Sequence, residues 1–228
     1  MKLFKDHGAT RHFSQIAGSK GGDFSELRSY LVAKLLWNVD ADVDGVIKEF
    51  LVDFYGQAAA PYMYDYIKLR EGALLGSQIP LWIYDTPVTH KEGMLNDALL
   101  SRYKELFDKA EAAVAGDSIY LAHVREERLP LLYSELEILR TRSDIDKSDL
   151  AEKVEHLRSE AAKYNVISLN ERVNLVDDYC DEYLERNLPP AKQSLALGAA
   201  IEFIELPNKP YDQIKEALTD GLYGGSTF

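Results

Sequence analysis

The chain has 228 residues, enough for one domain or one and a half, with 46% hydrophobic and 28% charged residues, so it can bury a core without covalent staples. Its formal net charge of −12 argues against a polyanion partner, and Arg125, Arg128, Arg140 and Arg142 are all interleaved with acids, so no nucleic-acid contact is expected. The single cysteine, Cys180, excludes an intrachain disulfide and any Cys/His zinc spacing, and no stretch approaches the roughly 18 apolar residues of a membrane span.

In chain order, residues 2–6 read as a last helical turn with Gly8 as its cap. Residues 10–16 alternate weakly, as a short strand does. A helix follows, capped by Asp23 or Ser25, with Glu26 at the capping-box spacing from Asp23. Phe24, Leu27, Leu31, Leu35 and Leu36 give it an apolar face, and Trp37 extends that stripe as a core residue. Asp42 can cap a second helix. Val43, Val46, Ile47, Phe50, Leu51 and Phe54 form its stripe, and Gly56 stops it. A third helix spans about 58–74, with Pro61 in the first turn, where a lost N–H costs little. Tyr62, Tyr66 and Leu69 share one of its faces, and Gly72 and Gly76 weaken or end it.

Residues 79–88 break the helical pattern. Leu81, Trp82, Ile83 and Tyr84 are a short apolar run between Pro80 and Pro87, read as a strand or extended loop. Helices are predicted at about 93–114, 117–140, 150–164 and 170–188, and Pro130 should kink or split the second of these. Residues 200–206 alternate as a strand. The predicted fold is mainly α: about seven helices packed as an antiparallel bundle or array, with short β pieces near the N-terminus, near 80–88 and at the C-terminus.

Chemistry is sparse. The chain holds no Gly-x-Gly-x-x-Gly, Walker A loop, His-Glu-x-x-His or Gly-x-Ser-x-Gly, so no cofactor is implied. The five histidines, His7, His12, His90, His123 and His156, never fall at an i,i+4 ligand spacing, so no metal is implied and each reads as a surface or locally bonded residue. Glycoside hydrolysis needs two carboxylates across a bound sugar, one with a raised pKa. The pairs Asp177-Asp178, Asp181-Glu182 and Glu126-Glu127 supply carboxylates, but on charged helices that read as solvated faces. Fourteen tyrosines and two tryptophans could make stacking platforms. Trp82 and Tyr84, two apart on an extended piece, would point to one side. Core packing, a ligand-facing platform and contact with a neighbouring domain are all open for them.

From residue 22 a family resemblance appears. Gly-Asp-Phe-Ser-Glu-Leu-Arg-Ser-Tyr-Leu-Val-Ala-Lys-Leu-Leu-Trp-Asn at 22–38 is followed by Asp-Ala-Asp-Val-Asp at 40–44, Glu-Phe-Leu-Val-Asp-Phe-Tyr-Gly at 49–56 and Ala-Ala-Ala-Pro-Tyr at 58–62. Together with Phe-Lys-Asp-His-Gly at 4–8 and Arg-Leu-Pro-Leu-Leu-Tyr at 128–133, this resembles the DUF4838 family, large proteins common in Bacteroidetes. The resemblance implies helices that follow a (β/α)8-like barrel related to glycoside hydrolases. Residues 1–20 would then be the end of the barrel and 21–190 the helical domain. It also implies a poly- or oligosaccharide as partner of the parent protein, and a periplasmic, cell-surface or secreted parent. Phe13-Ser14-Gln15 corresponds to a family Phe-Glu-Gln-like stretch, with Ser14 where a carboxylate is expected and Gln15 left as an edge ligand. Glu-Ala-Leu-Thr-Asp-Gly-Leu-Tyr-Gly-Gly at 216–225 resembles the opening of a discoidin-like (F5/8 type C) module, so 199–228 would begin a β-sandwich. Both ends thus read as truncated domains, with barrel and sandwich as intramolecular partners. The function expected is a helical accessory region without a complete active site. The alternatives are a stand-alone interaction domain, or a glycosidase with its site among the helices. Candidate ligand-facing residues are Gln15, Trp82 and Tyr84.

Overall fold

The computed structural model describes residues 1–14, 20–142, 147–169 and 174–187. These form eight α-helices: α1 (Lys2–Asp6), α2 (Ser25–Trp37), α3 (Val43–Tyr55), α4 (Ala60–Ser77), α5 (Asp97–Ala113), α6 (Ser118–Leu139), α7 (Lys147–Lys163) and α8 (Val176–Asn187), with a 3-10 turn at Pro87–His90. The mainly helical class is as expected. From α2 onward each helix packs on the next, and α3 also meets α6.

Among the described residues there is no strand, only an isolated antiparallel bridge between Ser168 and Leu175. The expected β pieces near the N-terminus and near 80–88 are therefore corrected. Residues 10–14 have no pairing segment beside them. At 82–85 the chain turns instead: the Asp85 amide donates to the Trp82 carbonyl at 3.1 Å, and the Asp85 carboxylate accepts the Trp82 N–H at 2.7 Å. The prolines on either side deny a ladder its donors. Gln15, the 199–228 tail and its expected strand lie outside the described residues.

The helix start at Asp42 is as read. The Asp42 carboxylate accepts the Asp44 N–H and Asp117 accepts those of Ile119 and Tyr120, satisfying orphan donors of α3 and α6. The capping box at α2 does not form. Its N-cap is Phe24, in the left-handed region at φ 47°, with no side-chain cap. Asp23 is drawn away to Arg70, and Ser25 Oγ donates to Glu26. Helix α4 runs through both Gly72 and Gly76, and α6 runs unbroken through Pro130. The lost hydrogen bond and ring clash at Pro130 cost about 3 kcal/mol. Burial on two sides of α6 offsets this.

Those two sides hold the two cores. One joins α2 to α6 around Leu51, Tyr55, Met63, Tyr66, Tyr103, Phe107 and Val124. The other joins α6 to α7 and α8 around Leu136, Val154, Leu157, Cys180 and Tyr183. On α6, Val124, Leu131 and Ile138 serve the first core, and Leu129 and Leu136 serve the second. Each set repeats every seven residues, so one helix carries two apolar faces. Trp37, expected in the core, is instead 93% exposed. Leu36 and Val43 beside it are exposed too.

Candidate functional site

A cleft of about 330 Å³ opens between α4, the 79–96 connection and α6. Each wall brings polar side chains. Tyr66 and Arg70, one turn apart on α4, share a face. Arg70 donates bidentately to Asp23 at 2.7 and 3.0 Å, and its guanidinium lies 5.1 Å from the Tyr66 ring centre. Burial works against the Arg70 charge, but Tyr66 and Asp23 outweigh it and raise the pKa above its ordinary value. Burial likewise pushes the Tyr66 phenol up.

The opposite wall is set by a short loop device. Asp85 Oδ2 lies 3.1 Å from His90 Nε2, while the Trp82 N–H, ahead of His90, holds the Asp85 carboxyl below its ordinary range. His90 is 1% exposed, and its Nδ1 has no hydrogen-bond partner among the described residues. The His90 carbonyl accepts the N–H groups of Gly93 and Leu95, and the Tyr103 hydroxyl donates to the Met94 carbonyl at 2.9 Å. The 79–96 connection is thus held by hydrogen bonds within it and by Tyr103 of α5. From α6 come Tyr133 and Ser134. Burial pushes the Tyr133 phenol up to about 12, and the Ser134 hydroxyl donates to the Pro130 carbonyl at 2.7 Å.

Behind the cleft lies a buried carboxylate that its neighbourhood in the sequence concealed. Glu127 is 6% exposed. It accepts the Phe24 N–H at 2.9 Å and the Tyr55 hydroxyl at 2.8 Å. Desolvation first, and the charge of Asp23 next, raise its pKa well above the ordinary value. The expected solvated face is therefore wrong for Glu127. It holds for Asp177, Asp178, Asp181 and Glu182, all exposed. Glu126 is half-buried beside Lys20 at 3.8 Å, with its carboxyl raised by burial.

Trp82 and Tyr84 are 68% and 87% exposed, so they do not join the core formed by the described residues. They sit in a turn rather than on an extended piece. Leu81 and Asp85, on either side of them, line the cleft, so the turn borders it. Gln15 lies outside the described residues. Sequence reasoning does not single out His90 or Arg70. The one available signal for His90 is its position five residues after an aspartate in a proline-bounded loop.

Among the described residues the cleft does not set a raised carboxyl opposite a second carboxylate. A general acid needs a raised pKa, yet Asp85 on the cleft wall is held low. The raised carboxyls, Glu126 and Glu127, are not among the cleft's lining residues. Among the described residues no hydroxyl or thiol is hydrogen-bonded to His90 for activation. Among the described residues no group of His, Cys, Asp and Glu could hold a metal ion, and no helix is long and apolar enough to cross a membrane.

Residues 1–68 of the 228 match the model of a domain of unknown function, DUF4838. No curated protein and no solved structure matches the chain.

Proposed function

We propose that the chain is a helical accessory region of a carbohydrate-active, glycoside-hydrolase-like protein. It docks on a companion domain through α1 and the α2–α3 corner, and it has no complete catalytic site of its own. The observation that carries this is the placing of unburied apolar side chains. Leu3, Phe4, Phe13, Leu36 and Trp37 are all exposed, and all fall within the 68 residues that match the family. Lys2 and Lys5 reach Asp40 at 3.6 and 3.3 Å, so α1 stands beside the corner that carries Trp37. An apolar cluster of this kind marks an interaction surface. The resemblance supplies a barrel-type companion, and the weak acid–base equipment of the cleft supports a non-catalytic role.

Hydroxyl-radical footprinting tests the docking. Trp37 should oxidise readily in the isolated chain and be protected in the longer protein encoded at its locus. Equal oxidation in both, or a locus that encodes nothing beyond these residues, would overturn the proposal. A screen against aryl glycosides should show no turnover by the isolated chain, and clear hydrolysis would move the catalytic site into the helices.

A further inference from the structure

Residues 72–84 carry no charged side chain, in a chain that is 28% charged. They run from the last turns of α4 into the 79–96 connection, and their large apolar side chains are turned outward. Leu75, Leu81, Trp82, Ile83 and Tyr84 are all exposed, Ile83 to 90%. Of these five, the cleft uses only Leu81, and none belongs to α1 or to the α2–α3 corner. Single exposed apolar residues are ordinary, but a contiguous group marks a contact surface. The tip of this one is braced from behind. The Trp82 carbonyl accepts the Asp85 N–H at 3.1 Å, and the Asp85 carboxylate accepts the Trp82 N–H at 2.7 Å. That carboxylate is the first charge after the stretch. It is drawn inward to the buried His90 ring, 3.1 Å away, and its side chain is only 14% exposed. Covering residues 81–84 therefore takes no ionised side chain of their own out of water.

Geometry and chemistry narrow the occupant. Successive side chains of a tight turn diverge, so no flat, rigid surface covers Trp82, Ile83 and Tyr84 together, whereas a fluid apolar medium does. At 87% exposure Tyr84 has almost nothing of the chain behind its ring, while a sugar platform needs a braced ring face. Trp and Tyr favour the boundary between lipid headgroups and acyl chains, and Leu and Ile favour the acyl side. We propose that the 81–84 turn inserts into the headgroup–acyl boundary of a lipid surface as a reversible anchor. The net charge of −12 suits a zwitterionic surface rather than an anionic one. This anchor is independent of docking through the α2–α3 corner.

The test uses Trp37→Phe, which leaves Trp82 as the sole tryptophan. With phosphatidylcholine vesicles its emission should move to shorter wavelength and be quenched by brominated acyl chains. The binding constant should be at most about 10⁴ M⁻¹, the value for a single acyl chain. An equal mixture with phosphatidylglycerol should bind more weakly. Ile83→Asp should weaken binding at least about tenfold, with an unchanged melting temperature because the side chain is exposed. Flotation of the unaltered chain with the vesicles gives a reading that needs no variant. Absence of both shift and flotation, or equal binding by Ile83→Asp, would overturn the proposal. So would quenching of Trp37 in a Trp82→Phe chain while Trp82 itself stays unquenched, which would move the lipid contact to the corner. A Trp82 response to cellobiose but not to vesicles would give the turn to a sugar, and one that grows with protein concentration alone would give it to a second copy of the chain. Either result overturns the lipid anchor.

Discussion

Glu127 ties three helices together. From α6 it accepts the Phe24 N–H at the start of α2 and the Tyr55 hydroxyl at the end of α3. Phe24 adopts a left-handed φ of 47°, costly for a bulky residue, and the bond from its N–H helps hold it there. The raised pKa of Glu127 makes this tie pH-dependent. Folded Glu127 keeps its proton at pH values where the unfolded chain has lost its own. Its contribution is thus complete below the ordinary carboxylate range and drains away as pH rises toward the folded-state value. Glu127→Gln mimics the protonated acid and does not titrate. Urea melts at about pH 5 and about pH 8 should show wild type losing at least about 1 kcal/mol more than the variant, since a tenfold difference in proton affinity between the folded and unfolded chain is worth about 1.4 kcal/mol. Identical losses would mean that native Glu127 is charged throughout. Nothing in the sequence announces this residue. It stands among Arg125, Glu126 and Arg128, and only the arrival of α2 and α3, distant in the chain, takes it out of water.

Element boundaries are legible where a side chain near in sequence decides them. Asp42 caps as read, and Asp117 caps too, because each needs only amides two or three residues away. The α2 start departs from its expected capping box because a partner 47 residues distant, Arg70, competes for Asp23. Glycines divide the same way. Gly56 ends α3 at φ 84°, and a Cβ there would meet Tyr120 Cδ2 at 2.7 Å. Gly72, inside α4, has nothing within 4 Å of an added Cβ. One substitution should therefore act with opposite signs. Gly56→Ala should destabilise by about 2–4 kcal/mol, from backbone strain and crowding of the ring. Gly72→Ala should stabilise by about 0.5–1 kcal/mol, the helix-propensity difference. Denaturant melts of the two variants decide it. A neutral Gly56→Ala would mean that Tyr120 can swing aside and that the turn tolerates a side chain.

At the scale of the molecule, helical periodicity foretells amphipathic helices but not how many cores they make. It cannot do so, because α6 uses both its faces and shows no single stripe. The backbone of α8 approaches only α7 among the described helices. Its tyrosines still reach α6: the Tyr179 hydroxyl donates to Glu137 at 2.9 Å and that of Tyr183 to the Leu136 carbonyl at 2.6 Å. The first core is closed by five helices, α2 to α6, around Leu51, Tyr103 and Phe107, where the second joins only three. A unit held along one helix should open before one enclosed on several sides, because fewer buried contacts break. Native-state hydrogen exchange should therefore give α7 and α8 amides a common opening free energy below that of α3 and α5. The α6 amides should follow the more stable group, since the first core holds that helix when the second is lost. Opening of α5 and α8 at one shared free energy would instead make the helices a single cooperative unit. The α6 backbone would then transmit stability between the cores, and the α7–α8 pair would not be a separable part.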